Sequence, residues 1–308
     1  MRILFMGTPE FAVPSLHILL DEDYPVVSVV TTPDKPQGRG QKVGASAVKE
    51  FAANRKLPIL QPENLRDPAF VTALTDLRPD LIVVVAFRIL PAEVFTIPRL
   101  GAFNLHASLL PRYRGAAPIN WAIMNGEEET GVTTFFLQER VDTGSVLLQE
   151  KVSIGPDETA GELHDRLSVL GAQVVLKTVR MIESGNAQSL KQDESLVSRA
   201  PKIFKDDCRI NWSANAGQVH NFVRGLSPAP CAWTTFRGKM LKVYRTSLAG
   251  SGGDGAGVAA EVRVDRLAVC TSSGLIALDE VQLEGKKRMM IAEFLRGHHV
   301  QRGDRFGE

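Results

Sequence analysis

Cysteine is scarce: three residues in 308, Cys208, Cys231 and Cys270, widely spaced and without a CxxC pair. That argues against a disulfide framework and against a cysteine-based zinc site, and it fits a reducing cytoplasm. Long apolar runs are missing as well. The strongest, residues 81–87, is far short of the ~20 residues that cross a bilayer. The apolar start, residues 1–6, is interrupted by Pro9 and Glu10 before it can form the core of a signal peptide. Neither secretion nor membrane insertion is expected. No GxGxxG fingerprint follows the first predicted strand, where Gly7-Thr8-Pro9-Glu10 stands instead, which argues against a dinucleotide cofactor. The sequence has no internal repeat. Net charge is also nearly absent, +1 overall, but the two parts of the chain differ. From Lys202 onward 16 Lys and Arg face 11 Asp and Glu, a surplus of +5; before it 20 face 24, giving −4. A basic back part is compatible with an anionic polymer as partner and equally with an ordinary solvated surface.

What is present is a globular composition, 44% hydrophobic and 23% charged, on a chain long enough for two domains. Residues 2–6 read as a short buried strand ending at Gly7, and Phe11, Val13, Leu16, Leu19 and Leu20 follow at near-helical spacing. Residues 26–31 supply a second, β-branched strand. The stretch 32–44, dense in Pro, Gly, Lys and Arg, reads as a long mobile loop. Helical stretches at 47–54 and 70–77 alternate with strands at 58–60 and 81–86, which predicts a parallel α/β sheet with helices on both faces. Strands at 103–106, 130–138 and 145–152, a helix at 117–125 and a long amphipathic helix or pair over 159–181 complete a first domain, residues 1–185. Residues 186–205 lack apolar periodicity and read as a linker. In 206–308, short strands at 233–236, 241–245, 262–264, 267–271 and 275–284 are separated by Gly-bearing turns, with 250–255 as a flexible loop. That texture predicts a smaller C-terminal β-barrel domain, OB-like in type.

Asn104 and His106 are two apart on a predicted strand, so both side chains leave the same face. The strand then gives way to a loop, and ligands of open α/β sheets collect at the carboxyl ends of strands. An imidazole can give or take a proton near neutral pH, and an Asn amide can donate to an oxyanion. Taken alone, such a pair is more often a structural hydrogen-bonding pair. Asp142, before Thr143-Gly144, is a candidate orienter of the imidazole or simply a turn former. His298-His299 has no neighbouring ligand set and reads as a surface feature rather than a metal site.

The full string Asn104-Leu105-His106-Ala107-Ser108-Leu109-Leu110-Pro111-Arg112-Tyr113-Arg114-Gly115-Ala116-Ala117-Pro118, then Thr130-Gly131-Val132-Thr133 and Asp142-Thr143-Gly144, resembles the folate-dependent formyltransferases. The Arg-Gly-Ala-Ala-Pro extension narrows the resemblance to the methionyl-tRNA formyltransferase family. It runs from Arg2 to Ile203 and continues more weakly through Asn211-Trp212, Asn221-Phe222-Val223-Arg224-Gly225 and Pro228. The resemblance implies a Rossmann-like formyltransferase domain with Asn104, His106 and Asp142 as its catalytic trio. It further implies that Ser108, Leu109, Leu110 and Pro111 border the tetrahydrofolate site, and that the loop with Phe87, Arg88 and Ile89 receives the pterin. That loop departs from the family pattern: Ala86-Phe87-Arg88-Ile89-Leu90-Pro91 is one residue short and lacks glycine. The implied reaction moves the formyl group of 10-formyltetrahydrofolate to the amino group of methionyl-initiator tRNA, for translation initiation, without a metal. Arg39 and Lys42 match basic positions of a loop that enters the tRNA acceptor stem, and a tRNA-binding C-terminal domain and a cytoplasmic monomer are implied.

Other readings stay open at this level. The Phe-Arg-Ile-Leu spelling resembles glycinamide ribonucleotide formyltransferase, which holds a phosphate near its first strand. Here Pro9 has no N–H to give and Glu10 repels an anion. A formyltransferase of nucleotide-linked amino sugars, or a non-catalytic protein that binds RNA or formyl-folate, are further alternatives; the back domain could also serve dimerisation or stability alone.

Overall fold

In the computed structural model, which describes residues 1–37, 42–252 and 255–308, the chain divides into two compact units. The first comprises Met1–Gly115, Gly131–Val152 and His164–Arg199; the second comprises Ala116–Thr130, Ser153–Leu163 and Ala200–Glu308.

The first unit is organised on a sheet of seven strands: β1 Ile3–Gly7, β2 Val26–Val30, β3 Ile59–Leu60, β4 Leu81–Val85, β5 Ala102–His106, β6 Glu129–Phe136 and β7 Val146–Ser153. Their order is β7-β6-β5-β4-β1-β2-β3. The five strands from β3 to β5 are mutually parallel, whereas β6 runs antiparallel to β5. Every residue of β1 and β4 is buried, as a parallel strand covered on both faces requires. On one face Leu4, Met6, Ile82 and Val84 pack with Phe70 and Leu74 of the helix Pro68–Asp76. That helix starts where its sequence says it should, with Pro68 in the first turn and the Asp67 carboxylate accepting from the N–H of Ala69. On the other face the long helix Ala160–Glu183 approaches so closely that a Cβ on Gly171 would lie 2.6 Å from Leu105 Cδ2.

The chain moves outward from β1 to β3 and returns to β4 on the opposite side of β1, so the order reverses between β1 and β4. Such a switch point opens a crevice at the carboxyl ends of the strands. Gly7 ends β1 there, where a Cβ would meet Ala12 Cβ at 2.8 Å.

Two features of the first unit differ from the sequence reading. The stretch 32–44 is not wholly irregular: Lys35–Gln37 and Lys42–Gly44 pair antiparallel, Gln37 opposite Lys42. Arg39 lies outside the described residues, as do residues 253 and 254 of the expected loop 250–255, and Lys42 is described in its backbone alone. Part of the stretch 186–205, expected as a linker, is bonded into the first unit. Val146 and Leu190 exchange two backbone hydrogen bonds of 2.8 Å, and the N–H of Arg114 donates to Ser198 O at 2.9 Å.

The second unit contains an antiparallel sheet of β8 Ala232–Phe236, β9 Lys239–Leu248, β10 Ala259–Val262, β11 Leu267–Cys270, β12 Leu275–Leu283 and β13 Met289–Met290. Its order is β8-β9-β12-β11-β10, with β13 paired to β12. Alternate residues of β8 and β9 join Trp212, Val223, Phe294 and Phe306 in one core. The sheet's ladder is open: β8 and β10 are its two edges, and no ladder joins them among the described residues. A short irregular segment bonds to both edge regions instead. Ala259 N donates to Asp304 O, Phe306 N to Gly257 O, and Gly307 N to Thr235 O, at 2.8 to 2.9 Å.

The turn before the helix Ala160–Glu183 carries a reciprocal cap. The N–H and hydroxyl of Thr159 each donate to Glu162 Oε2 at 2.8 Å, and Glu162 N returns a 3.3 Å bond to the hydroxyl. These bonds, the Thr159 N–H foremost, and the guanidinium of Arg245 hold the Glu162 carboxyl down to about 2. A depressed carboxyl stabilises the fold above its unfolded value of about 4.5, and the contribution fades as pH falls toward 2. Because the side chain is half exposed, Glu162→Ala is expected to cost only about 1 kcal/mol at pH 7. Thermal melts should show the gap to the parent narrowing between pH 5 and pH 3; a gap unchanged over that interval contradicts the cap.

Candidate active site

β5 presents Asn104 and His106 to one face, with Leu105 turned toward the long helix on the other. His106 is buried, and its Nε2 lies 2.8 Å from Tyr113 O. A carbonyl oxygen only accepts, so Nε2 carries the hydrogen of this bond. Nδ1 is therefore the nitrogen left to exchange a proton, and it faces Asp142 Oδ2 at 4.0 Å. That distance brings the two groups into one buried site but exceeds a hydrogen bond. The Asp142 carboxylate instead accepts from Gly115 N at 2.9 Å. Asn104 is half-buried, and its amide makes no side-chain hydrogen bond among the described residues.

The backbone around this group is bent in an unusual way. Ala86, Tyr113 and Asp142 have φ of 48°, 61° and 57°, in the left-handed region that non-glycine residues seldom occupy. Each follows a strand of the site: β4, β5 and β6. Backbone strain of this kind persists where the surroundings over-determine it, and it gathers at functional sites. Gly144 supplies the room: a Cβ there would sit 1.6 Å from Phe136 O, so the Asp-x-Gly spacing has a steric cause.

The loop 107–115 is fastened by Thr133, which pairs with His106 across the sheet. Its hydroxyl donates to Ser108 O (2.6 Å) and accepts from Leu110 N (3.1 Å) and from Gln149 Nε2 (3.0 Å). Gln149 Nε2 also reaches Leu110 O at 2.8 Å. Thr133 and Gln149 had no assigned role in the sequence; only the register of β5 and β6 reveals one. Among the residues the resemblance assigned to folate, Ser108 is fully buried and its hydroxyl donates within the loop, to Arg112 O at 2.6 Å. Leu110 is buried, and Leu109 and Pro111 are half-buried.

Phe87, Arg88 and Ile89 follow β4. The guanidinium of Arg88 donates to Pro62 O at 2.7 Å and Glu63 O at 2.9 Å, while its buried Nε has no partner among the described residues. Burial pushes its pKa below the ordinary arginine value. Arg88, Ile89, Leu90, Leu65 and Glu139 border a cavity of about 570 Å³, a size suited to a small organic ligand. A second cavity of about 520 Å³ lies where β1 and β2 end, beside Thr8, whose hydroxyl is buried without a partner. His298 stacks on Phe294 and bonds its carbonyl oxygen. Among the described residues no group of three or more His, Cys, Asp or Glu side chains is spaced to hold a metal ion.

Residues 1–179 match the family model described as formyl transferase, and residues 202–299 match formyl transferase, C-terminal domain. The chain belongs to the formyl transferase family. Within that family, a methionyl-tRNA formyltransferase of Chlorobium chlorochromatii is 50% identical over 307 residues, covering 98% of each chain. Its counterpart in Clostridioides difficile is 45% identical over 98% of this chain and 99% of that one. Solved structures at lower identity share the formyl transferase fold. An N-formyltransferase from Helicobacter canadensis, in complex with folinic acid and dTDP-3-aminofucose, has a TM-score of 0.69 at 19% identity, covering 94% of this chain and all of that one. HypX from Aquifex aeolicus in complex with tetrahydrofolic acid has a TM-score of 0.67 at 20% identity; 96% of this chain covers 47% of that one, about half its length.

Thr133 offers a direct check on the loop. Thr133→Val leaves the Leu110 N–H and Ser108 carbonyl unsatisfied, at a cost of about 1–3 kcal/mol, and Thr133→Ser restores most of it. Urea unfolding of the two variants measures this; a valine variant as stable as the parent removes the hydroxyl's role.

Proposed function

We infer that this formyl transferase moves the formyl group of 10-formyltetrahydrofolate to the amino group of methionyl-initiator tRNA, for translation initiation. One observation carries the reading: near-full-length identity of 45–50% to methionyl-tRNA formyltransferases, the back domain included. The likeness to an N-formyltransferase with a sugar nucleotide rests on 19% identity and concerns the fold.

10-Formyltetrahydrofolate supplies a formamide-like carbonyl open to attack by an amine. Asn104, whose amide hydrogens are uncommitted among the described residues, is the donor for the carbonyl oxygen as it gains negative charge; such a donor is worth about 3–4 kcal/mol, or 10²–10³ in rate. His106 has committed Nε2–H to Tyr113 O, so Nδ1 holds the proton that must pass from the attacking amine toward the departing nitrogen. Asp142, fixed by the Gly115 N–H, keeps a carboxylate on that side of the ring. In this reading Phe87, Arg88 and Ile89 hold the folate together with the loop Ser108, Leu109, Leu110 and Pro111. The Arg88 Nε–H, unpartnered among the described residues, and the exposed side chain of Ile89 suit a flat heterocycle with acceptor atoms.

The tRNA contacts belong to the basic back domain, residues 206–308, and to Arg39 and Lys42, with residues 1–185 as the catalytic domain and 186–205 between them. The back domain is OB-like in this reading, its sheet edges bridged through residues 303–307. The protein works as a cytoplasmic monomer.

Purified protein incubated with 10-formyltetrahydrofolate should formylate methionyl-initiator tRNA and leave glycinamide ribonucleotide and amino-sugar nucleotides unchanged. Formylation of glycinamide ribonucleotide alone overturns the reading. His106→Ala and Asp142→Asn should each lower turnover by about 10² or more with an unchanged circular dichroism spectrum. Affinity for tRNA should fall steeply between about 50 and 200 mM salt, and Arg39→Ala should reduce kcat/KM on whole tRNA; indifference to salt removes the electrostatic part.

A further inference from the structure

Asp142 stands at the end of an exposed turn. Residues 138–141 are open to solvent, yet Asp142 itself is buried in a left-handed conformation. Something outside the turn must hold it. Gln192, fifty residues later in sequence and 6% exposed, is placed to do so. Its Nε2 donates to Asp142 O and to Gly144 O, each at 2.8 Å. Its Oε1 accepts from Arg114 Nε at 3.1 Å and Arg114 Nη2 at 2.7 Å. Both hydrogens and both lone pairs of the amide are thus used. A flipped amide would set Oε1 against two carbonyl oxygens and its NH2 against a guanidinium, so only one orientation survives.

Arg114 is braced in turn by Glu194, which takes Nη1 at 3.1 Å and Nη2 at 2.7 Å. The residue after Arg114 is Gly115, whose N–H holds the Asp142 carboxylate. Asp142 is therefore gripped at both ends from one dipeptide: directly at its carboxylate, and through Gln192 at its carbonyl oxygen.

From this geometry we propose that Gln192 and Arg114 are positioning residues that hold the Asp142 carboxylate beside His106 Nδ1. The proposal rests on the reading of Asp142 as part of the formyl-transfer site. Without Gln192 the carbonyls of Asp142 and Gly144 lose their donor, and the turn is free to withdraw the carboxylate. A misplacement of about 1 Å can lower a rate by about 10².

The test is a double-mutant cycle on the full-length protein, following formylation of methionyl-initiator tRNA. Gln192→Leu should lower kcat by about 10- to 100-fold, with KM for the tRNA within about threefold. Gln192→Glu, which keeps the bonds to Arg114 but cannot donate to the two carbonyls, should not rescue it. Arg114→Lys, which cannot bond Oε1 twice, should lower kcat in the same way. In the Asp142→Asn background Gln192→Leu should cost less than about threefold more, because both act on one group. Full kcat in Gln192→Leu overturns the proposal, and so does a loss that multiplies with that of Asp142→Asn, since Gln192 would then act elsewhere. Near-normal kcat in Asp142→Asn alone overturns the reading of the site beneath it, and the proposal with it. Should Gln192→Leu not fold, Arg114→Lys carries the same cycle.

Discussion

The antiparallel return of β6 along β5 is the constraint on which the site depends. In a wholly parallel sheet the strand after β5 would re-enter from the far end of the sheet. Because β6 comes back beside β5, Thr133 stands opposite His106 and can fasten the loop that follows it. The chain leaving β6 then folds over the face that bears His106, which brings the Asp142 carboxylate to 4.0 Å from Nδ1. One reversal of strand direction thus supplies both the clasp of the loop and the carboxylate. The rest of the sheet, with β1 and β4 buried on both faces, is the rigid floor against which these short segments are held.

Polar groups in this region divide into those that are saturated and those left over. Thr133 donates once and accepts twice, and Gln192 uses all four positions of its amide. Each such bond adds about 1 kcal/mol net, but leaving a buried group unsatisfied costs more, so the network specifies one arrangement rather than merely stabilising it. Against this background the leftover capacity is informative. Thr8 Oγ1 and Arg88 Nε, buried without partners among the described residues, follow β1 and β4, and the free Asn104 amide lies on β5. These three groups border the strand ends at the switch point, where a ligand would use them; the other buried groups without partners among the described residues, Ser15 Oγ and Thr235 Oγ1, lie elsewhere.

Much of the architecture was legible because it is carried by periodicity. β1 and β4 are unbroken apolar runs, which only a doubly covered parallel strand explains, and Asn104 and His106 were placed on one face by the period of two. Elements that depend on pairing with distant partners were less visible. Apart from Val43, the hairpin Lys35–Gln37 with Lys42–Gly44 is built from Pro, Gly, Lys and Gln, residues with little strand preference. The ten-residue β9 exceeds the apolar run read from its sequence because the residues at its two ends pair with β8 and β12, and Lys239, Ser247 and Leu248 among them face solvent. Whether a set of short antiparallel strands closes on itself is decided by edge contacts, and alternation in the sequence carries no record of them.

The stretch 186–205 shows most clearly where composition misleads. Ser, Gln, Asn and charged residues without apolar rhythm are what solvent-exposed tethers are made of, yet here one glutamine is buried and bonded to residues fifty and seventy-eight positions away. A buried carboxylate on an exposed turn cannot be held by apolar packing, because its own carbonyl and its neighbours' need donors with defined directions. For the carbonyls of Asp142 and Gly144 that donor is a polar side chain, Gln192, and a polar side chain that is buried looks no different in sequence from one that is not. A site made of an amide, an imidazole and a carboxylate therefore recruits its supports from the very segments that periodicity discards.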